Sequence, residues 1–226
     1  MPIPNPVRLF HITPIANLAG ICAVGALLSK NAGETAGIEY SNIAYQGAQG
    51  KRAGTVIPIA PGGLIHDYVP FYFAPRSPML GAINQGRVQG CDWRQADIVH
   101  FETTVDRVVV NAGGFVFYDS NATLDWSNPY NDLARLDRIA WDLITEDPCL
   151  DGFCKYWNSR LDVPRYAMRM EKRQAEFLVR ERVPLARFTR IGVVDVAKQR
   201  EVASVLQRGG VNLPVEVKPA WYFLGQ

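Results

Sequence analysis

The sequence predicts an α+β domain, and three observations predict it. Short apolar runs of strand length recur from one end of the chain to the other, and helical apolar spacing lies between some of them. The two do not alternate in the strict order that a parallel, doubly wound sheet requires. With 226 residues, 48% of them hydrophobic, the chain can bury one sizeable core, so residues 1–226 read as a single domain.

Taken in order, Val7 to Thr13 reads as a first strand, after which Thr13 offers a hydroxyl as helix N-cap and Pro14 takes the first helical position. Ile15, Leu18, Ile21 and Cys22 give that helix its apolar face, and Gly25 ends it. From Ser29 to Gly63 glycine and alanine are frequent and periodicity is lost, which predicts a long loop of the kind that covers a site. Tyr68 to Phe73 is an aromatic strand in which Tyr72 faces away from Phe71 and Phe73. Pro75 and Pro78 then turn the chain into a helix over Met79 to Ile83. Arg76 and Ser77, just before that helix, suit an anion through the side chain and free amides.

Ile98 to Val105 reads as a strand, Arg107 to Val110 as a helical or extended segment, and Phe115 to Phe117 as a short strand; short helices follow at 133–136 and 139–144. Asp147 to Gln174 is a second loop-rich region. Phe177, Leu178 and Val179 form a short buried strand with Glu176 at its mouth. The tail supplies a strand at 191–195, a helix from Val196 to Leu206 ended by Gly209 and Gly210, and strands at 215–217 and 221–223.

Composition excludes several classes. A net charge of +2 gives no global basic footprint, so any nucleic-acid surface must be local. The four cysteines have no CxxC spacing, which fits a reduced, cytoplasmic chain, and the three histidines lack metal-ligand spacing, so no metal is expected. No apolar run reaches the roughly 18 residues a membrane span needs, and no signal peptide precedes the first strand.

Three features carry chemistry. Glu176 stands where strand meets loop, a usual place for functional groups, although a lone glutamate there is more often an ordinary solvated strand end. His11 and Thr13 share one side of the first strand and together suit a polar ligand; equally, they suit a helix cap and a buried backbone bond. Between Lys155 and Arg173 six basic residues stand against two acidic ones, with Tyr156, Trp157 and Tyr166 among them. Cations interleaved with aromatics suit a single nucleic-acid strand, and Arg165, Arg169 and Arg173 join those rings as candidate contacts.

The run Leu9-Phe10-His11-Ile12-Thr13, then Asp67-Tyr68-Val69-Pro70-Phe71-Tyr72-Phe73-Ala74-Pro75-Arg76-Ser77-Pro78-Met79, then Arg173-Gln174-Ala175-Glu176-Phe177-Leu178-Val179 resembles the DarT family. Those are toxins of DarTG toxin–antitoxin pairs that ADP-ribosylate DNA bases with NAD+. The resemblance spans about Arg8 to Phe223 and implies an ADP-ribosyltransferase-like fold, a central split mixed sheet with flanking helices and long active-site loops. It also implies NAD+ as substrate, single-stranded DNA as acceptor, a monomer, and a macrodomain antitoxin as partner.

By position, the resemblance assigns His11, Ile12 and Thr13 to NAD+ and continues the pocket through Gly20 and Leu28; Tyr72, able to stack on a flat ring, and Arg76, suited to an anion, join them as binding candidates. Glu176 matches the catalytic glutamate. The segment from about Asn31 to Arg52 matches the NAD-covering element, and the loop from about Asp119 to Ala175 the part that meets DNA. Where many members end the covering element in an Ile-Lys-x-Arg-like run, this sequence has Ile43-Ala44-Tyr45-Gln46. Gln46 therefore occupies the second catalytic position without its charge, which leaves two alternatives: Lys51 or Arg52 supplies it, or the chain belongs to a branch of the family with another preferred base. Transfer to RNA or protein, and a non-catalytic strand-binding module, remain the alternatives at this stage.

Overall fold

The computed structural model describes residues 2–41, 43 and 46–223, without the side chains of Gln46 and Ala48. The chain opens with strand β1 (Arg8–Pro14), helix α1 (Leu18–Val24), strand β2 (Ala26–Leu28) and helices α2 (Lys30–Thr35) and α3 (Gln46–Gly54). Strand β3 (Tyr68–Tyr72) and α4 (Pro78–Asn84) lead to β4 (Ile98–Thr104), α5 (Val105–Val109) and β5 (Phe115–Tyr118). Then come β6 (Pro129–Tyr130), α6 (Trp141–Ile144), the hairpin β7 (Cys149–Leu150) and β8 (Phe153–Cys154), and α7 (Arg169–Lys172). The last elements are β9 (Glu176–Arg180), β10 (Arg182–Pro184), β11 (Arg190–Val193), α8 (Val196–Arg208) and β12 (Val215–Val217).

Eight strands form one sheet in the order β12-β11-β4-β1-β3-β9-β5-β6. Its pairs are antiparallel except β11 with β12, so the sheet is mixed. Strand alternation divides the two faces. Val69, Phe71, Phe117, Phe177 and Val179 join the large core on one face. Tyr68, Val116, Tyr118 and Leu178 form a smaller core on the other, with Ile57, Ile65 and Ala122.

The sheet is split in its middle. β1 pairs with β4 along its whole length from Arg8 to Pro14, but meets β3 only at Phe10 opposite Tyr72. Pro70 explains the divergence. Its carbonyl accepts from His11 Nδ1 at 2.9 Å, so its backbone faces β1, and proline has no N–H to donate on that side. The ladder that β1 and β3 would extend is missing a rung, and a side chain bridges the gap instead.

Local signals placed most elements. Ser77 caps α4 by accepting the Leu80 N–H at 3.2 Å with Pro78 behind it, Asp195 caps α8 from Lys198 at 2.8 Å, and Gly25 ends α1 in the left-handed region at φ 70°.

Four expectations are corrected. Thr13 caps no helix: β1 runs through Pro14, a 3-10 turn covers Ile15–Asn17, and Asn17 precedes α1. Seven ladder pairs with β4 outweigh the local proline signal. The glycine-rich region from Ser29 to Gly63 is not a bare loop, because α2 and α3 form within it, α2 capped by the Ser29 hydroxyl accepting from Ala32 N–H. The loop after Asp147 likewise holds a hairpin and α7. Pro219–Trp221 is a 3-10 turn rather than a final strand, since Trp221 packs edge-on against Phe10 and its indole N–H binds Asp151.

Candidate active site

A cavity of about 450 Å³ opens where β1 leaves β3. His11, Ile12 and Thr13 of β1, Tyr68, Pro70 and Tyr72 of β3, and Glu176 at the head of β9 line it; α3 contributes Arg52. Glu176 is the only carboxylate among the described lining residues, and it is 1% exposed.

The register of the sheet puts Glu176 between Tyr72 on β3 and Tyr118 on β5. Arg52 Nη1 approaches both its carboxylate oxygens, at 3.0 and 2.9 Å, and the Ala122 N–H reaches it at 3.4 Å. Burial opposes the Arg52 charge, but attraction to Glu176 outweighs it and holds the guanidinium protonated. Burial and then the Glu176 charge push the Tyr118 phenol up to about 12 and Tyr72 higher still. Both phenols are therefore neutral donors at ordinary pH.

His11 is also neutral. Burial lowers its pKa, partly offset by its bond to Pro70. Because a carbonyl only accepts, Nδ1 carries the proton and Nε2 is left as an acceptor. Thr13 is held by Asn17, whose amide donates to Thr13 Oγ1 and to the Ser41 carbonyl, each at 3.0 Å. The Ser41 N–H returns a bond to Asn17 Oδ1 at 2.8 Å. Asn17 thus ties the segment before α3 to the strand that carries Thr13.

The other expected site residues divide. Ile12, Leu28 and Tyr72 line the cavity. Gly20 lies behind the wall, where a Cβ would stand 3.7 Å from the ring of Tyr40, itself a lining residue. Arg76 is placed elsewhere: it is buried, donating to the carbonyls of Cys154 at 2.8 Å and Phe153 at 3.4 Å, and it holds the β7–β8 hairpin rather than an anion. Gln46 begins α3, its side chain lies outside the described residues, and so do Ala44 and Tyr45. The cation beside Glu176 is Arg52, not Lys51, whose ammonium lies 4.0 Å from Asp125.

The basic, aromatic loop is largely turned inward. Arg169 lies 3.8 Å from the centre of the Tyr166 ring and 3.1 Å from Glu146, and Tyr166 donates to that same carboxylate. Arg173 is buried, donates to the Leu143 carbonyl, and is driven by burial down to about 10. Arg165 pairs with Glu146 at 3.1 Å, and Trp157 packs on Phe223. Tyr156 stays well exposed, at 53%, and the Arg165 side chain is half exposed despite its ion pair. A charge count along the sequence cannot see Glu146 folding back onto the loop.

Asn17, His66, Asn121 and Thr123 also line the cavity, and no motif marks them. Chemically, one buried carboxylate beside a fixed cation, ringed by neutral donors, can stabilise a positive charge that develops next to it and can accept a proton. Among the described residues, no group of three or more histidine, cysteine or acidic side chains is placed to hold a metal ion.

A family model described as "ssDNA thymidine ADP-ribosyltransferase, DarT" matches residues 10–223. A DNA ADP-ribosyl transferase of Thermus aquaticus is 35% identical over 97% of this chain and 90% of its own length. Another, from Thermus sp. strain 2.9, is 35% identical over 97% of this chain and 98% of its own. The structure of Thermus sp. 2.9 DarT in complex with ADP-ribosylated ssDNA superposes with a TM-score of 0.86 at 32% identity, covering 99% of each chain. The same protein in complex with NAD+ superposes at 0.81 and 30%, covering 98% of this chain and 100% of the other.

Proposed function

Because this chain belongs to the DarT family, we propose that it transfers ADP-ribose from NAD+ to a thymine base of single-stranded DNA and releases nicotinamide. The observation that carries this reading is the pairing of Arg52 with Glu176, the one acidic group among the described residues lining a cavity that His11 and Thr13 also line. NAD+ is consumed as a substrate. Its nicotinamide–ribose bond breaks with the electron pair leaving on nicotinamide, which departs neutral, while positive charge grows on the ribose through an oxocarbenium-like state. The Glu176 carboxylate stabilises that charge. His11 Nε2 and Thr13 Oγ1 supply polar contacts for the substrate, and the segment tied down by Asn17 covers it.

The attacking ring nitrogen of thymine carries a proton that has to leave as the new bond forms. Glu176 is the base within the cavity, and the proton passes from it to solvent. A base reaches the site most easily when unstacked, which favours single-stranded over duplex acceptors.

Among the described residues no helix is long and apolar enough to cross a membrane. We place the reaction in the cytoplasm, carried out by a monomer as a toxin that a macrodomain antitoxin opposes. Mass spectrometry of oligonucleotides of defined base content, incubated with the protein and NAD+, tests the function. The expected result is a gain of one ADP-ribose confined to thymine-containing strands. Transfer to RNA or protein with none to DNA would overturn it.

A further inference from the structure

Residues 119–128 join β5 to β6 and form a loop whose shape is fixed internally. The Asn128 backbone N–H and side-chain amide both donate to the Asp119 carboxylate at 3.0 Å. Asn121 Oδ1 accepts from the Thr123 N–H at 2.9 Å and its hydroxyl at 2.7 Å; Leu124 N–H binds the Asn121 carbonyl and Ser127 N–H the Leu124 carbonyl, each at 3.0 Å. One side of this loop belongs to the active site, since Asn121 and Thr123 line the cavity and the Ala122 N–H reaches Glu176. The tip leans toward α3, where Asp125 stands 4.0 Å from Lys51, the residue before Arg52.

Trp126 sits at that tip with 58% of its surface exposed. Three residues of chain, roughly 10 Å at full extension, separate it from the cavity wall at Thr123. A closed turn thus holds an indole in water at the mouth of the site, where its flat apolar face lacks a partner of its own shape. Two lysines flank it. Lys51 is at the tip, and Lys172 lies 3.7 Å from Asp119 at the loop's base. Both contacts are long and both ammoniums are partly exposed; the Lys51–Asp125 pair is a surface pair that Lys51 can leave at little cost, and Lys172 is one-third exposed beside the buried Asp119. Among the other cations of the stretch 155–173, Arg165 and Arg169 are engaged by Glu146, Arg173 by the Leu143 carbonyl and Arg160 by Asp162.

Resting on the function proposed above, we propose that Trp126 is the stacking platform for a base of the acceptor strand, with Lys51 and Lys172 neutralising its phosphates. The ligand class is single-stranded nucleic acid, read through the face of a base and the backbone charge. Trp126 orders the acceptor at the cavity mouth, a step separate from the chemistry at Glu176.

The test measures binding of a fluorescently labelled oligothymidine by anisotropy without NAD+, and the KM for oligonucleotide and for NAD+ during transfer. Stacking of one base predicts that Trp126→Ala weakens oligonucleotide binding and raises its KM by about 5- to 150-fold. The KM for NAD+ is unmoved, and Trp126→Phe recovers most of the loss. Lys51→Gln with Lys172→Gln flattens the salt dependence of binding by about 0.7 in log–log slope per phosphate contact. Val196→Ala, which trims a comparably exposed apolar side chain on α8, away from both loops, serves as control and keeps wild-type affinity. Oligonucleotide affinity unchanged in Trp126→Ala would overturn the platform. Wild-type protein that binds the strand, loses that binding in Trp126→Ala, and transfers nothing would overturn the transferase reading and leave the platform standing.

Discussion

Arg52 and Glu176, 124 positions apart in the chain, meet through a single nitrogen: Nη1 of the guanidinium stands 3.0 and 2.9 Å from the two carboxylate oxygens. The pair closes the cavity between a helix that grows out of the glycine-rich region and the head of a central strand. With Glu176 almost wholly buried and Arg52 close to it, neither charge is stable there without the other.

Glu176→Gln preserves size and packing but removes the charge. Its transfer rate is expected to fall about 10²–10³-fold, the usual effect of losing one preorganised electrostatic group, with the far-ultraviolet circular dichroism unchanged. Single-turnover transfer to oligothymidine measures it, and a rate close to wild type would remove Glu176 from the chemistry.

Because one nitrogen of Arg52 makes both contacts, a lysine ammonium can take over part of the role. Arg52→Lys should retain clearly more activity than Arg52→Ala, which among the described residues leaves Glu176 only the distant Ala122 N–H. Equal rates for the two variants would show that the cation is not what matters at this position.

Asn17→Ala removes two bonds to Ser41, each worth about 0.5–1.5 kcal/mol, and frees the segment over Thr13. The KM for NAD+ should rise up to about tenfold with kcat little changed, and limited proteolysis should cut faster near Ser41. A lower kcat at constant KM would contradict a covering role.

His100 is fully buried, with Nε2 bonded to the Pro75 carbonyl at 3.0 Å, and burial lowers it to about 4. A base whose folded pKa lies below its unfolded value near 6.5 is neutral in the fold while the unfolded chain takes up the proton. Its contribution is complete above about pH 6.5 and is lost as the pH falls toward 4, on the order of 3 kcal/mol. His100→Gln should flatten the melting temperature across that window; an undiminished acid slope would assign it to other groups, among them His11, whose pKa burial also lowers.

Gly192 on β11 lies against the Trp221 ring, where any Cβ would collide with it. Gly192→Ala should destabilise the fold by about 1–3 kcal/mol or more through overpacking, seen as a lower denaturation midpoint. Transfer per folded molecule should hold, because Trp221 does not line the cavity. A midpoint equal to wild type would mean that the ring moves aside freely.

The strands carrying His11, Tyr72 and Glu176 were legible because alternation and apolar runs are local signals, and Ser77-Pro78 and Gly25 punctuate the chain on the spot. The α+β class follows from the same signals, and the motif resemblance adds the split sheet and points to Glu176, which the structure buries in the cavity wall. Where a long-range pairing outweighs a local preference the local signal misleads: Thr13-Pro14 carries the pattern of a helix start, yet β4 holds both as strand.

The sequence by itself determined the strands that carry the site, β1, β3 and β9, and that Glu176 stands at the mouth of the last. Tertiary structure decided what meets that carboxylate and what faces solvent. Lys51 and Arg52 are neighbours of like charge, and only the direction of α3 sends Arg52 to Glu176 while Lys51 stays at the surface. Arg169 and Arg173 carry the same charge as any surface arginine, yet folding buries them against Glu146 and the Leu143 carbonyl and leaves Trp126 outside. Periodicity reports which face of an element is apolar. The partner of a charge is set by distances between residues far apart in sequence, which no local pattern encodes.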